Sequence, residues 1–271
     1  MKTKLLIADK FPEEYIQQLK DMDLDVTYSP KLGANELPEA VKDNDILIVR
    51  STVVSGETIN KSNTLKLIIR AGSGVNTIDI PAASKIGIHV ANCPGMNAIA
   101  VAELAMGLMI SLDRRLPDNV ADFRNGKWNK AEYSKAVGLK GKTLGIIGLG
   151  NIGKEVAKRA LAFDMNVYGI DVIKVEGLPI KIFTEMDKLI PLCDIMSLHL
   201  PATPETKNLF NKKMFSLMKP NAMLINTSRP DIIDEDAMLE AIKEKNVHPR
   251  LAAMVVGVAK VAEACKLRGW V

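Results

Sequence analysis

A chain of 271 residues with 47% hydrophobic and 25% charged side chains is long enough to bury two cores and has an ordinary globular composition. Its formal charge of +4 comes from Lys and Arg scattered among acids, without a basic run or interleaved aromatics, so small-molecule work is expected rather than a nucleic-acid face. Cys93, Cys193 and Cys265 lack metal-ligand spacing, acids follow the N-terminus too soon for a signal peptide, and Glu103 interrupts the most apolar stretch; disulfides, a structural metal and a membrane span are not expected, and a cytoplasmic protein is.

Apolar runs alternate with amphipathic segments from the start. "KLLIAD", "DVTYS", "DILIVR", "LKLIIRAG" and "GIHVAN" read as buried strands, with helices near Pro12 to Lys20 and Leu37 to Lys42. That βα alternation predicts a parallel sheet. From Asn97 to Leu116 the pattern predicts one long helix, whose Ala98, Ala102, Ala105 and Gly107 permit close helix packing, and it marks a domain boundary: 1–97, then 98–271. A polar stretch follows. A second βα series then runs through "TLGIIG", a helix to Lys158, "MNVYGID", "PIKIF", a helix opened by a Thr184 to Asp187 capping box, "DIMSLHL", "AMLINTSR" and a helix from Glu235 to Lys245.

Gly148, Gly150 and Gly153 form G-x-G-x-x-G between a predicted strand and a predicted helix. In that setting the glycines supply a tight turn, backbone approach to a pyrophosphate, and close helix–strand packing. The spacing alone is a weak signal. Asp171 closes the next strand about 20 residues downstream, where a carboxylate accepts hydrogen bonds from ribose hydroxyls, and this strengthens the reading. The pyrophosphate is expected on the free N–H groups near Asn151 and Ile152. A carboxylate at Asp171 repels a 2′-phosphate, which favours NAD over NADP, although Lys174 lies close in sequence.

The blocks "LIVRST", "LIIRAGSGVNTID", "NCPGMNAIAVAEL", "GKTLGIIGLGNIG", "LHLPATPETK" and "LINTSRPDIIDEDA" occur in an order that resembles the D-isomer-specific 2-hydroxyacid dehydrogenases, most closely the branch acting on 3-phosphoglycerate. The resemblance covers about the first 245 residues, and so many ordered blocks are far more specific than a glycine turn. It implies two doubly wound α/β domains: a flavodoxin-like substrate domain, and a Rossmann NAD-binding domain inserted into it, with a cleft between. It also implies interconversion of a D-2-hydroxy acid and its 2-oxo acid, here 3-phosphoglycerate and 3-phosphohydroxypyruvate of serine synthesis.

By the same resemblance Arg229 takes the place of the catalytic arginine, a residue type suited to both a carboxylate and a carbonyl oxygen gaining charge; read by itself it is a strand-end arginine able to pair with Asp231 or Asp234. Arg50, Ser51, Arg70 and Asn97 would line the substrate pocket, and Ser73 would reach the cofactor. Thr227 and Ser228 would contact the nicotinamide half, while Leu200 and Pro201 would pack near adenosine. His199 reads as structural. The helix from Asn97 to Leu116 resembles the family's dimer element, so a homodimer is expected.

The resemblance weakens toward the C-terminus. The family's proton-donating His and its Glu partner are not legible after Asn246; "RLAAMVV" could form the next strand, with Val255 or Val256 where an Asp is expected, and the segment also reads as an amphipathic helix with Leu251, Met254, Val255, Val258, Ala262 and Cys265 on one side. His248 comes too early, and Glu263 and Lys260 are weaker substitutes. Pro230 and Asp231 replace the usual Gly-Gly after the arginine. Two alternatives therefore stay open: an NAD-binding relative with impaired catalysis and a regulatory role, and a dehydrogenase for glyoxylate, lactate or phosphite.

Overall fold

The short apolar runs form parallel strands in the computed structural model of the chain, which describes residues 2–244. Two compact units result, Met1–Asn97 and Ala98–Val271. The expectations for residues 245–271, including the end of the last helix at Lys245, the segment "RLAAMVV", His248, Lys260, Glu263 and Cys265, lie outside the described residues.

The first unit alternates β1 (Lys4–Ile7), α1 (Glu13–Asp21), β2 (Asp25–Tyr28), α2 (Leu37–Ala40), β3 (Ile46–Val49), α3 (Gly56–Lys61), β4 (Leu67–Arg70), α4 (Ile80–Lys85) and β5 (His89–Asn92). Its strands pair in the order β2-β1-β3-β4-β5, all parallel, which is the flavodoxin-like order. The two-residue period of the strands sends side chains alternately to the two faces. Leu6, Leu47, Val49 and Ile68 accordingly join one core with Val41 and Ile59, while Leu5, Ile7 and Ile48 join another with Ile16. Both faces are covered, as continuous Leu/Ile/Val runs require. The short helices α3 and α4 were not marked in the sequence; each is started by a side-chain cap, Ser55 accepting from the Thr58 N–H and Asp79 from that of Ala82.

The second unit contains α5 (Ala98–Arg114), α6 (Leu116–Arg124), α7 (Lys130–Tyr133), β6 (Thr143–Ile147), α8 (Asn151–Ala162), β7 (Asn166–Ile170), β8 (Lys181–Phe183), α9 (Met186–Leu189), β9 (Ile195–Leu198), α10 (Lys212–Leu217), β10 (Met223–Asn226) and α11 (Glu235–Glu244). The sheet order β10-β9-β6-β7-β8 is that of a Rossmann fold over its first five strands, with the reversal between β6 and β9. Leu144, Ile146, Val167, Ile195 and Ile225 pack under Ala102, Ala105, Met106 and Met109 of α5 and Val156, Ala157 and Ala160 of α8. On the opposite face Ile147, Met196, Leu198 and Leu224 meet Phe210, Met214 and Phe215.

Two local expectations need correction. The long helix to Leu116 ends at Arg114, because Arg115 adopts a left-handed conformation (φ 52°) and Pro117, which lacks an N–H, belongs to the first turn of a new helix. Arg115 is held there by Asp118 and Glu132 and lies over the Tyr133 ring. The Thr184 to Asp187 capping box does not form: the helix starts after Glu185 without a side-chain cap, and the Asp187 carboxylate pairs with Lys213 instead. Of the small residues on α5, Ala98, Ala102 and Ala105 are buried, whereas Gly107 is exposed with open space beside it.

Candidate functional site

All the second unit's site residues follow the carboxyl ends of its strands, the edge where open α/β sheets collect ligands. Gly148 ends β6 at φ +93°, and a Cβ there would lie 2.5 Å from the His199 carbonyl oxygen, so only glycine fits. Gly153 is tighter still: a Cβ would stand 2.0 Å from the Gly148 carbonyl oxygen, and its absence lets α8 close onto the turn. Gly150 is the opposite case, with nothing within 4 Å of an added Cβ. It caps α8 by backbone alone, whereas α10 is capped by the Asn211 side chain. The first amides of α8, at Asn151 and Ile152, have no partner within the helix, and the positive end of the helix dipole lies behind them.

Asp171 follows β7 and is fastened to the same turn. Its Oδ2 accepts from the Leu149 N–H at 2.6 Å and its Oδ1 from the Ile173 N–H at 3.1 Å. A carboxylate oxygen has two lone pairs, so each retains an acceptor position for a sugar hydroxyl. Lys174 pairs with Glu176 at 2.7 Å, which counters the cation that would otherwise welcome a 2′-phosphate. Open amides, a glycine where a phosphate approaches and a carboxylate beside the turn form the donor and acceptor set that NAD needs. Leu200 lies against the turn, its Cδ2 3.0 Å from the Cβ position of Gly148, and the Pro201 carbonyl accepts from the Thr206 hydroxyl at 2.6 Å.

Thr227, Ser228 and Arg229 follow β10. The buried Asn226, not singled out in the sequence, organises them: its Oδ1 accepts from the Ser228 N–H at 3.0 Å and hydroxyl at 2.7 Å, and its Nδ2 donates to the Arg229 carbonyl at 2.8 Å. The Arg229 side chain is exposed; its Nη1 donates to the Ser228 carbonyl at 2.9 Å, and it pairs with neither Asp231 nor Asp234. Asp234 instead caps α11 by accepting from the Ala237 N–H at 3.0 Å, and Pro230 opens a single 3₁₀ turn to Ile232. His199 has both ring nitrogens placed, Nε2 against the Ser197 hydroxyl at 2.8 Å and Nδ1 against that of Thr227 at 3.5 Å. The residue is half-buried, yet its ring is removed from water, which pushes its pKa from 6.5 down to about 4. A ring held neutral between two hydroxyls is structural in character.

The first unit's site residues also share one edge. Arg50 and Ser51 follow β3, Arg70 ends β4 with Ser73 beyond it, and Asn97 lies past β5. Ser73 ties the last two strands together, its hydroxyl lying 2.8 Å from Asn97 Oδ1 and 3.3 Å from the Cys93 carbonyl. Arg50 is exposed and forms no ion pair among the described residues. Arg70 is half-buried, its guanidinium lying where Gly72 leaves room (Nη1 would be 2.6 Å from a Cβ there), and its buried Nε has no hydrogen-bond partner. A charged donor left unsatisfied in this way is unfavourable until an acceptor arrives. Asp9, after β1, was missed: Arg50, Ser51 and Thr52 all hydrogen-bond to it.

Known proteins share this architecture. The sequence pattern of the D-isomer specific 2-hydroxyacid dehydrogenase NAD binding domain matches residues 106–254. The D-3-phosphoglycerate dehydrogenase of Methanocaldococcus jannaschii is 40% identical over 258 residues, 93% of this chain and 48% of that one, so the chain spans about half of that relative's length. The hydroxypyruvate reductase of Thermotoga maritima is 40% identical over 245 residues, 89% of this chain and 79% of its own. Among solved structures, the NAD+-bound 3-phosphoglycerate dehydrogenase of Entamoeba histolytica superposes with a TM-score of 0.76 at 30% identity, covering 91% of this chain and 78% of that one.

Proposed function

Because the chain belongs to the D-isomer-specific 2-hydroxyacid dehydrogenase family, with NAD as its cofactor, we propose that it interconverts a D-2-hydroxy acid and its 2-oxo acid, and that the pair is 3-phosphoglycerate and 3-phosphohydroxypyruvate. The single observation that carries the dehydrogenase reading is the glycine turn, with open amides at the head of α8 and Asp171 clamped to Leu149. NAD, when bound, exchanges a hydride with C2 of the acid. The amides of Asn151 and Ile152 would hold its pyrophosphate and Asp171 its ribose, Leu200 and Pro201 would border the adenosine half, and Thr227 and Ser228 would meet the nicotinamide half.

Arg229 draws the substrate carboxylate and the C2 oxygen toward one guanidinium. As the carbonyl is reduced its oxygen gains negative charge, and a cation that cannot lose its proton stabilises that charge more than the neutral ground state. Asn226 keeps this arginine's backbone in register. The first unit by itself offers Arg50 and Arg70 as cations suited to an anionic ligand, with Ser51 and Asn97 as hydrogen-bonding groups at the same sheet edge, while Ser73 is kept for the cofactor. The orphaned Arg70 Nε is the observation that favours an anion there. A substrate without phosphate, such as hydroxypyruvate, is a second reading, favoured by the T. maritima relative, which this chain covers more fully.

The test is NADH fluorescence titration followed by NADH oxidation with 3-phosphohydroxypyruvate, hydroxypyruvate and glyoxylate in parallel. The phosphorylated acid is expected to give the highest kcat/KM, and Arg229→Ala to lower it about 10²- to 10³-fold. NADH binding without turnover of any of the three would overturn the dehydrogenase reading and leave an NAD-binding protein. A preference for hydroxypyruvate would overturn the phosphate assignment alone.

A further inference from the structure

The carboxyl end of β1 carries a charge that the mechanism above does not use. Three consecutive N–H groups converge on the Asp9 carboxylate: Oδ2 accepts from Arg50 at 2.6 Å, Ser51 at 3.0 Å and Thr52 at 3.0 Å, while Oδ1 accepts from the Ser51 hydroxyl at 3.2 Å. Successive amides turned to one side form a nest, a concavity that binds anions in many proteins. Here the protein's own carboxylate fills it. Asp9 forms no ion pair among the described residues, so its charge is met by backbone dipoles and the hydroxyls of Ser51 and Thr52. Burial opposes that charge, yet the hydrogen bonds from Arg50, Thr52 and Ser51 hold the carboxyl below its ordinary range.

The position matters as much as the bonds. β1 and β3 are neighbours, and the strand order of this sheet reverses between them. Ligands of open α/β sheets bind outside the carboxyl ends of the strands at such a reversal. The loop clamped by Asp9 is thus the one that presents Arg50. We propose that Asp9 is the positioning residue of this substrate loop: by occupying the nest it denies those amides to the incoming acid and fixes the backbone so that the Arg50 guanidinium does the binding. The inference rests on the dehydrogenase reading for its kinetic consequence, while the clamp itself is testable without turnover. Ser51 belongs to the clamp as well, since its one proton lies toward Asp9 and only its lone pairs face outward.

The experiment compares wild type with Asp9→Ala, which removes every acceptor, and Asp9→Asn, which keeps one oxygen without the charge. Amide hydrogen exchange of the segment spanning residues 50–52 is read in the ligand-free protein, then with inorganic phosphate. Exchange at least tenfold faster in Asp9→Ala, with partial recovery in Asp9→Asn and slowing by phosphate only in the Ala variant, is expected. In turnover, KM for the preferred 2-oxo acid should rise about tenfold or more in Asp9→Ala while kcat stays within about threefold, and Asp9→Asn should recover part of the loss. NADH affinity serves as the check that the second unit is intact and should not change. Unchanged exchange at 50–52 would overturn the clamp, and faster exchange with unchanged KM would overturn its role in positioning. Should wild type reduce no 2-oxo acid, the dehydrogenase reading fails, and the exchange and phosphate measurements alone decide the clamp. Should Asp9→Ala not fold, the same comparisons are made with Asp9→Asn.

Discussion

Replacing Gly150 and Gly153 by alanine, one at a time, separates ligand space from packing space within a single turn. Gly150 has φ −68° and ψ −159°, a conformation open to any L-residue, and its Cβ would touch nothing within 4 Å. Alanine is a poorer helix cap than glycine by about 0.5–1 kcal/mol, and the stiffer unfolded chain returns about 0.4–1 kcal/mol, so stability should stay within about 1 kcal/mol of wild type. In the dinucleotide turn, however, the second glycine is where the backbone approaches the pyrophosphate, so a methyl there should crowd the cofactor and NADH affinity should fall at least tenfold, about 1.4 kcal/mol. Gly153→Ala places a methyl 2.0 Å from the Gly148 carbonyl oxygen. No rotamer relieves a contact between two main-chain positions, so α8 must move. Overpacking of this kind costs about 1–3 kcal/mol, or several degrees in Tm at about 2–4 °C per kcal/mol. Thermal melting and NADH titration of both variants provide the assay. Wild-type NADH affinity in Gly150→Ala, or wild-type melting in Gly153→Ala, would refute the geometry on which the cofactor assignment stands.

Three further outcomes are expected. Asp171→Ala removes both the sugar acceptor and the bond to the Leu149 N–H, so NADH should bind at least tenfold more weakly and the preference over NADPH should shrink, as parallel titrations would show. His199 titrates at about 4 in the folded protein against 6.5 ordinarily, so the unfolded chain binds the extra proton between those values; stability should rise with pH across that window and be lost as pH falls through it, and His199→Gln should flatten that part of a denaturation-against-pH profile. Phe123 and Trp128 touch edge to face at 6.2 Å while remaining 64% and 79% exposed, and with Ile99 and Leu104 they offer apolar surface for a second copy. Sedimentation should find a dimer for the wild type and a shift to monomer for Phe123→Glu; a monomer at all concentrations would count against the homodimer.

Much of the site could be read along the chain because its parts are local. The glycine turn is written within six residues, Gly148 to Gly153, and the order of strands and helices follows from apolar runs too short to bury themselves in any other way. Asn226 was within reach too: it lies two and three residues from the groups it binds, the range over which Asn side chains organise turns. The break at Arg115 was signalled by Pro117 but outweighed by the helical period on either side.

Other features have no local signal. Asp9 reaches Arg50 across 41 residues, and only the parallel pairing of β1 with β3 brings their ends together. The Thr184 box failed because the helix starts one residue late, with Glu185 at its cap, which takes Asp187 out of register with Thr184 and leaves its carboxylate to Lys213. The contrast between Gly150 and Gly153 depends on what stands opposite each Cβ, which one strand and one helix seen in sequence do not reveal. Residue types and their spacing determined the βα alternation, the dinucleotide turn and the acid that accompanies it, since each depends on backbone freedom and short-range hydrogen bonding. Strand order decided the rest, because hydrogen-bonded pairing between distant segments selects which carboxylate meets which amides and, among the described residues, leaves the buried Arg70 Nε without a hydrogen-bond partner.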